Sequence, residues 1–184
     1  MVDDDARLML AFRDGDRRAF EALFSRYTPR ILTFLTRLVR DRARAEELTQ
    51  DVFVRIYNAA DRYQASARFS TWIFGIAHNL ALNELSRAHR RHERPATDLD
   101  LAGQVDPAPG VDDRLEADRK RQQIERALAK LPERQRAALL LRSEQGLDYS
   151  EIALALETTV PSVKSLIHRA RETLLAELGS ETSP

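Results

Sequence analysis

The side chains best suited to chemistry in this chain are two amides and a run of guanidinium groups. Asn79 and Asn83 lie four residues apart in the stretch FSTWIFGIAHNLALNELSRAHRR, and Arg87 follows at the same interval. On a helix this spacing places all three on one face. Amides hydrogen-bond the edges of nucleic-acid bases, and guanidinium groups hold phosphates. The pattern indicates a helix face that contacts nucleic acid.

The same stretch begins with aromatic residues. Phe69 and Trp72 are one helical turn apart, with small hydroxyl residues between them. Exposed aromatic rings stack on unpaired bases, and each stack contributes about 1–3 kcal/mol. Core packing is the competing interpretation, because Ile73 and Ile76 continue the same helical spacing. We expect both isoleucines in the core, whereas for Trp72 the two interpretations stay open.

Other kinds of chemistry have little support in the sequence. The chain has no cysteine, and no phosphate-binding glycine loop, zinc-protease motif or serine nucleophile elbow is present. His89 and His92 are close enough to share a metal ion, but no third ligand accompanies them. A basic surface facing solvent or nucleic acid is the better interpretation. We therefore expect no catalytic residue, no metal, no cofactor and no enzymatic activity.

Charge is unevenly distributed along the 184 residues, although the formal net charge is +0. Residues 1–92 have a net charge of +4 and residues 119–184 a net charge of +2, from side-chain counts of 16 basic and 12 acidic, then 11 and 9. Residues 93–118 have 2 basic and 8 acidic side chains and contain three prolines. This composition predicts a flexible acidic linker between two helical domains.

Nothing in the sequence indicates a membrane segment. No stretch approaches the ~20 apolar residues that cross a bilayer, and the acidic N-terminus MVDDDARLML is unlike a signal peptide. The lack of cysteine favours a reducing compartment. We expect a cytoplasmic protein without direct membrane insertion.

Apolar residues recur with a period near 3.6 in both flanking blocks, which predicts an all-α fold. The stripe from Phe20 to Leu38 is interrupted by Pro29, so we expect a kink or a restart near Thr28. A second helix, AEELTQDVFVRIYNAADRY, has an apolar residue at every fourth position from Leu48 to Ile56.

The second block has the pattern of a helix-turn-helix, which we place from Tyr149 to His168. Pro132 suits a first helical turn, and Gly146 suits a left-handed helix stop. Asp148 with Glu151 makes a capping box, and Thr159 is the expected cap of the last helix. On that helix the residues expected to face inward are Val163, Ile167, Ala170, Leu174 and Leu178.

These motifs together resemble bacterial extracytoplasmic-function (ECF) sigma factors, the compact two-domain members of the sigma-70 family. The resemblance runs from about Ala6 to Leu178. Its carriers are the segments AEELTQDVFVRIYNAADRY, RFSTWIFGIAHNLALNELSR and LPERQRAALLLRSEQGLDYSEIALALETTVPSVKSLIHRARETL. It implies sigma domain 2 in residues 1–92 and sigma domain 4 in residues 119–184, joined by the linker 93–118. It also implies promoter-specific transcription initiation without catalysis.

The resemblance implies three sets of contacts. The helix Glu47 to Ala60 corresponds to the segment that docks on the clamp of core RNA polymerase, with the candidate residues Glu47, Gln50, Asp51, Arg55 and Asn58. The next region corresponds to the one that recognises and melts the −10 element, with Ser66, Arg68, Phe69, Ser70, Thr71, Trp72, Asn79, Asn83, Arg87, Arg90 and Arg91. The −35 candidates are Thr159, Ser162, Lys164, Ser165, His168, Arg169 and Arg171.

Three positions depart from the family pattern. Gly75 and Leu166 stand where relatives commonly have basic residues, so a phosphate contact is expected to be missing at each. Leu166 has a second interpretation, packing against a partner. Glu157 stands where relatives usually have a turn glycine, which predicts a wider or strained turn.

The implied partners are core RNA polymerase through its clamp and flap regions, promoter DNA, and a cognate anti-sigma factor. The acidic linker either tethers the domains or threads through the polymerase cleft. Two other classes of protein compete with this interpretation. A conventional helix-turn-helix regulator would need a dimerisation helix or a ligand-sensing domain, and the first block shows no sustained heptad. A helical adaptor without DNA would leave the basic helix ends unexplained.

Overall fold

The computed structural model describes residues 3–92 and 112–180, and all regular secondary structure in these ranges is helical. The all-α prediction is confirmed. The helices are α1 (Asp4–Arg13), α2 (Arg17–Val39), α3 (Arg42–Ala59), a 3-10 turn (Ala60–Arg62), α4 (Phe69–His92), α5 (Asp112–Lys130), α6 (Glu133–Ser143), α7 (Tyr149–Ala155) and α8 (Val160–Ser180).

The predicted acidic linker lies mostly outside the described residues. Its last part, from Asp112, is the beginning of α5. Within the described ranges, no helix is long and apolar enough to cross a membrane.

The helix α2 does not restart near Thr28, because it runs unbroken through Pro29. The hydroxyl of Thr28 donates to the Phe24 carbonyl (2.6 Å), and Thr33 donates to the Pro29 carbonyl (2.9 Å). Seven side chains of α2 are buried, and their packing outweighs the backbone hydrogen bond that the proline removes. Tertiary burial decides the length of this helix.

The helices α1 to α4, here called the N-terminal group, pack around the buried face of α2. Tyr27 is 1% exposed, and its hydroxyl donates to Asp5 on α1 at 2.7 Å. Burial, with the neighbouring Asp5 carboxylate, raises the pKa of Tyr27 above its ordinary value. Phe34 of α2 meets Phe74 of α4 edge-on at 5.4 Å between ring centroids.

The helices α5 to α8, here called the C-terminal group, carry the predicted start and stop signals of α6 to α8, whereas α5 begins at Asp112, inside the predicted linker. Pro132 occupies the N-cap position of α6, one residue before the predicted first turn, and Gly146 adopts a φ of +68° before α7. Asp148 and Glu151 form the capping box, with both reciprocal hydrogen bonds at 2.8 Å. Thr159 accepts the Ser162 N–H at the start of α8. These contacts confirm the helix-turn-helix pattern.

The two groups pack directly against each other, which the sequence analysis did not predict. The helix α4 lies against α7, and the C-terminal part of α2 lies against α5 and α6. Their apolar side chains form one continuous buried cluster.

Candidate nucleic-acid interface

The beginning of α4 is tied to the beginning of α1 by one carboxylate. Asp3 accepts the N–H of Ala6 at 2.7 Å with one oxygen and the N–H of Phe69 at 3.0 Å with the other. Two orphan helix-terminal donors are thereby satisfied by one side chain. The loop before Phe69 is therefore held at a defined position.

The aromatic end of α4 is largely part of the core. Phe69 is 0% exposed and Thr71 3%, so neither presents its side chain to solvent. Trp72 is half-buried and packs on Tyr63 at 4.8 Å and on Phe69 at 5.8 Å between ring centroids. Burial raises the pKa of Tyr63 to about 12, with the charge of Asp3 adding to the effect.

The core interpretation of Trp72 is confirmed in part, since the indole packs on the core; base stacking by its partly exposed surface stays a prediction. The predicted core positions Ile73 and Ile76 are buried and half-buried respectively. Around the indole, Ser66 and Arg68 are exposed and Ser70 is half-buried. The side chains available to unpaired bases are thus fewer than the candidate set.

Along the rest of α4, the candidate residues differ in availability. Asn83, Arg87 and Arg90 are exposed. Asn79 is half-buried, and its amide nitrogen donates to Glu157 at 2.8 Å. Arg91 lies on the helix, but its side chain is outside the described part of the chain.

His78 is buried between α4 and the C-terminal group. Its side chain is 1% exposed, and within the described ranges neither ring nitrogen has a partner at good hydrogen-bond geometry. Burial, followed by the charge of Arg134, lowers the pKa of His78 to about 4, and the Glu157 carboxylate and the Asn79 side chain partly oppose this shift. The imidazole is therefore neutral at physiological pH and does not serve as a phosphate contact.

The second candidate surface is the outer side of α3, here called the α3 face. All five candidate residues, Glu47, Gln50, Asp51, Arg55 and Asn58, are exposed. The opposite side of α3 is buried against α2 and α4. Arg44 holds the start of the helix in place, because it pairs with Glu47 and with Glu84 of α4, the latter at 2.7 Å.

Two apolar residues on α3 were missed by the sequence analysis. Val54 is 57% exposed and Tyr57 is 55% exposed, and both lie among the polar candidates. Exposed apolar residues surrounded by polar ones are typical of a surface that binds another protein. Both residues lie off the apolar spacing of every fourth position from Leu48 to Ile56, and this could have indicated from the sequence that they are exposed.

The third candidate surface is the outer side of α8. Val163, Ile167 and Ala170 are buried, and Leu174 and Leu178 are half-buried, as predicted. Ser162 is half-buried, and the exposed candidates are Thr159, Lys164, Ser165, His168, Arg169 and Arg171. A short capped helix thus leads into a helix with a basic outer face, which is the arrangement that enters a DNA groove.

The turn between α7 and α8 is compact. Glu157 adopts a φ of +49°, the left-handed conformation that glycine adopts most easily, so the predicted strain is present. Leu166 is half-buried and packs against the core instead of standing free.

Comparisons with known proteins identify the family of the chain. Residues 23–91 match the family model for sigma-70 region 2, and residues 121–174 match that for sigma-70 region 4. The RNA polymerase sigma-H factor of Pseudomonas aeruginosa is 32% identical over 178 residues, which cover 94% of this chain and 92% of that protein. The ECF RNA polymerase sigma-E factor of Escherichia coli is 31% identical and covers 92% of each chain.

Solved structures show the same fold. The structure of CnrH in complex with the cytosolic domain of CnrY gives a TM-score of 0.70 at 25% identity, covering 98% of this chain and 100% of that one. The sigma factor RpoE in complex with the anti-sigma factor NepR, from Bartonella quintana, gives 0.70 at 22% identity over 87% and 96%. With relatives above 30% identity along nearly its whole length, the chain belongs to the ECF sigma factors, which direct promoter-specific transcription initiation by RNA polymerase.

Proposed function

We propose that the chain divides this work among the three candidate surfaces. Residues 1–92 dock on core polymerase and recognise and melt the −10 element, residues 119–184 read the −35 element, and residues 93–118 connect the two. The proposal rests mainly on α8, whose inner residues are buried while its basic residues face outward behind a capped turn.

At the −35 element, the outer side of α8 lies in the major groove. Lys164 and Arg169 bind phosphates. Ser165 and His168 lie within one helical turn of them and contact base edges. Thr159 and Ser162 lie at the helix start, where backbone N–H groups also favour a phosphate.

At the −10 element, the residues that hold the duplex end are Asn79, Asn83, Arg87 and Arg90. Those that receive separated bases are Ser66, Arg68, Ser70 and Trp72. Phe69 and Thr71 do not contact DNA directly, because their side chains are buried; they hold the start of α4 in place. Unstacking costs a few kcal/mol per base, and a preformed pocket offsets that cost without ATP.

The α3 face binds the polymerase clamp through its polar candidates and through the exposed Val54 and Tyr57 that lie among them. The protein itself is not an enzyme, because phosphoryl transfer belongs to the polymerase. It acts in the cytoplasm. The solved complexes of CnrH with the cytosolic domain of CnrY and of RpoE with the anti-sigma factor NepR support a comparable anti-sigma partner for this chain.

Transcription in vitro tests this proposal. Core polymerase, the protein and genomic DNA of the host are incubated, and the 5′ ends of the RNA are sequenced. We expect starts that require the protein and share motifs near −10 and −35. No protein-dependent start with folded protein and active core would overturn the proposal.

Replacing Lys164 and Arg169 with glutamine should weaken −35 duplex binding and flatten its salt dependence. Each lost phosphate contact reduces the slope of log K against log salt by about 1. Fluorescence anisotropy with a −35 duplex at several salt concentrations measures both quantities. Replacing Arg119 and Lys120, exposed cations of α5, is the matched control. An unchanged slope in the α8 variant would show that another face binds the DNA.

A further inference from the structure

We propose that Glu157 is the central residue of an intramolecular latch. The latch is a set of contacts that holds the C-terminal group over the −10 candidates of α4 while the protein is free. The effect of the latch on promoter binding rests on the proposed function, whereas the latch itself consists of contacts within this chain. It concerns the face of α4 that contains Asn79 and the turn between α7 and α8.

The central contact of the latch is the hydrogen bond between Asn79 and Glu157. The amide nitrogen of Asn79 donates to a carboxylate oxygen of Glu157 at 2.8 Å. A hydrogen bond to a charged acceptor is stronger than one between neutral groups. The amide proposed to read a base edge is therefore already occupied by a carboxylate.

The position of Glu157 has a conformational cost. With a φ of +49°, any residue with a Cβ is less favourable there than glycine. The turn alone gains nothing from glutamate at this position. Contact with α4 supplies a reason for it, since the side chain leaves the turn toward Asn79.

Further polar contacts join the N-terminal group to the C-terminal group besides the Asn79–Glu157 hydrogen bond. Arg68, a −10 candidate, donates to Glu151 of α7 at 3.3 Å, and Arg30 of α2 donates to the Gln145 side chain at 3.0 Å. Two of the residues proposed to meet DNA thus face carboxylates of the C-terminal group. These carboxylates occupy the places that promoter phosphates or bases would take.

The helices approach closely at Gly75. A Cβ built on this glycine would lie 3.5 Å from both the Cα and the carbonyl oxygen of Ala155 on α7. A longer side chain pointing the same way would meet the α7 backbone. Gly75 and Glu157, two of the positions that depart from the family pattern, therefore lie in the same interface.

The far end of the interface is held by Arg136 of α6, which is 5% exposed. Its guanidinium donates to the Leu38 carbonyl in the last turn of α2 at 3.0 Å and to the Leu131 carbonyl at 2.8 Å. A cation is favoured at a helix C-terminus. Arg37 of α2 adds ion pairs with Glu125 and Glu144 of the C-terminal group.

The latched form is too small to bind a promoter. The −10 and −35 elements are about 25 base pairs apart, or about 85 Å at 3.4 Å per base pair. A compact chain of 184 residues has a radius of gyration of about 16 Å, hence a diameter of about 40 Å. Binding both elements therefore requires the groups to separate, and each contact of the interface opposes that separation.

Spin labels measure the separation directly. The chain has no cysteine, so Ser25→Cys and Ala176→Cys, at exposed positions of α2 and α8, introduce the only thiols. Double electron–electron resonance on the full chain then gives the distance distribution between the groups. We expect a narrow short-distance population in the parent and an open population that rises about five-fold in Glu157→Gly and Glu157→Asn.

The two variants keep the turn intact, because glycine and asparagine tolerate a positive φ. We expect Glu157→Gly to melt no lower than the parent even though its groups separate more often, a result that general destabilisation would not produce. Glu21→Gln, which removes an exposed carboxylate from α2, is the matched control. Asn79→Ala should add nothing to Glu157→Gly if the two residues act as a pair.

Identical distance distributions in the parent and both Glu157 variants would overturn the latch. Binding of a single-stranded −10 oligonucleotide, taken from the mapped start sites, tests the effect on function. The free Glu157→Gly variant should bind it about five-fold more tightly than the parent. If the distances respond and no protein-dependent transcription exists, the latch stands and the proposed function fails. If transcription occurs and the distances do not respond, the reverse holds.

Discussion

Lowering the pH from 7 to 4 is expected to reduce the free energy of unfolding by about 3 kcal/mol through His78 alone. The buried imidazole has a pKa of about 4 in the folded protein, against 6.5 for the exposed side chain. Two and a half pKa units correspond to roughly 3 kcal/mol. Asn79 and the Glu157 carboxylate oppose the effect of burial on this pKa only in part.

The direction follows from proton binding. Below about pH 6.5 the unfolded chain takes up a proton on His78, whereas the folded protein does not until the pH approaches 4. The contribution of His78 to stability is thus fully present above pH 6.5 and is lost as the pH falls through that window. Arg134 and Glu157, the two charges that act on the imidazole, both belong to the C-terminal group.

Urea unfolding at half-unit steps from pH 7.5 to pH 4 measures the effect. Carboxylates titrate in the lower part of this range, so the informative quantity is the difference between the parent and His78→Leu. We expect that difference to change by about 3 kcal/mol across the range in favour of the variant at low pH. His89→Gln controls for the loss of an exposed imidazole on the same helix. Parallel pH profiles for parent and His78→Leu would contradict the prediction.

Local patterns were sufficient to predict much of this fold. The period of 3.6 identified which residues of α8 face inward, since burial on a helix repeats at that interval. The capping box at Asp148 and the left-handed stop at Gly146 are short-range features, and both are present. Such predictions succeed because the interacting residues are within four positions of each other.

Features that depend on distant contacts were not predictable in the same way. Asn79 and Glu157 are 78 residues apart, and nothing in either local sequence shows that they meet. The unbroken course of α2 through Pro29 likewise reflects its burial by other helices. Phe69 has the spacing of both a base-stacking residue and a core residue, and only the tertiary structure shows that it is fully buried. The sequence thus indicated the surfaces better than the contacts that cover them.

Changing Glu47, Gln50 and Asp51 together to alanine should weaken binding to core polymerase at least about 100-fold. If the α3 face docks on the clamp, three polar groups of the polymerase lose their partners, and each unpaired group costs about 1–2 kcal/mol. All three side chains are exposed, and alanine favours a helix, so the fold should persist. Biolayer interferometry with immobilised core polymerase measures the affinity, and thermal melting checks the fold.

The matched control is a triple alanine variant of Arg119, Lys120 and Gln122, exposed polar residues of α5. It removes the same number of polar side chains from a surface that is not assigned to the clamp. We expect it to retain nearly all of the affinity, while loss in the α3 variant appears mainly as faster dissociation. Equal affinity in the two variants would remove the α3 face from the docking surface. The exposed Val54 and Tyr57 of the same helix would then need another partner.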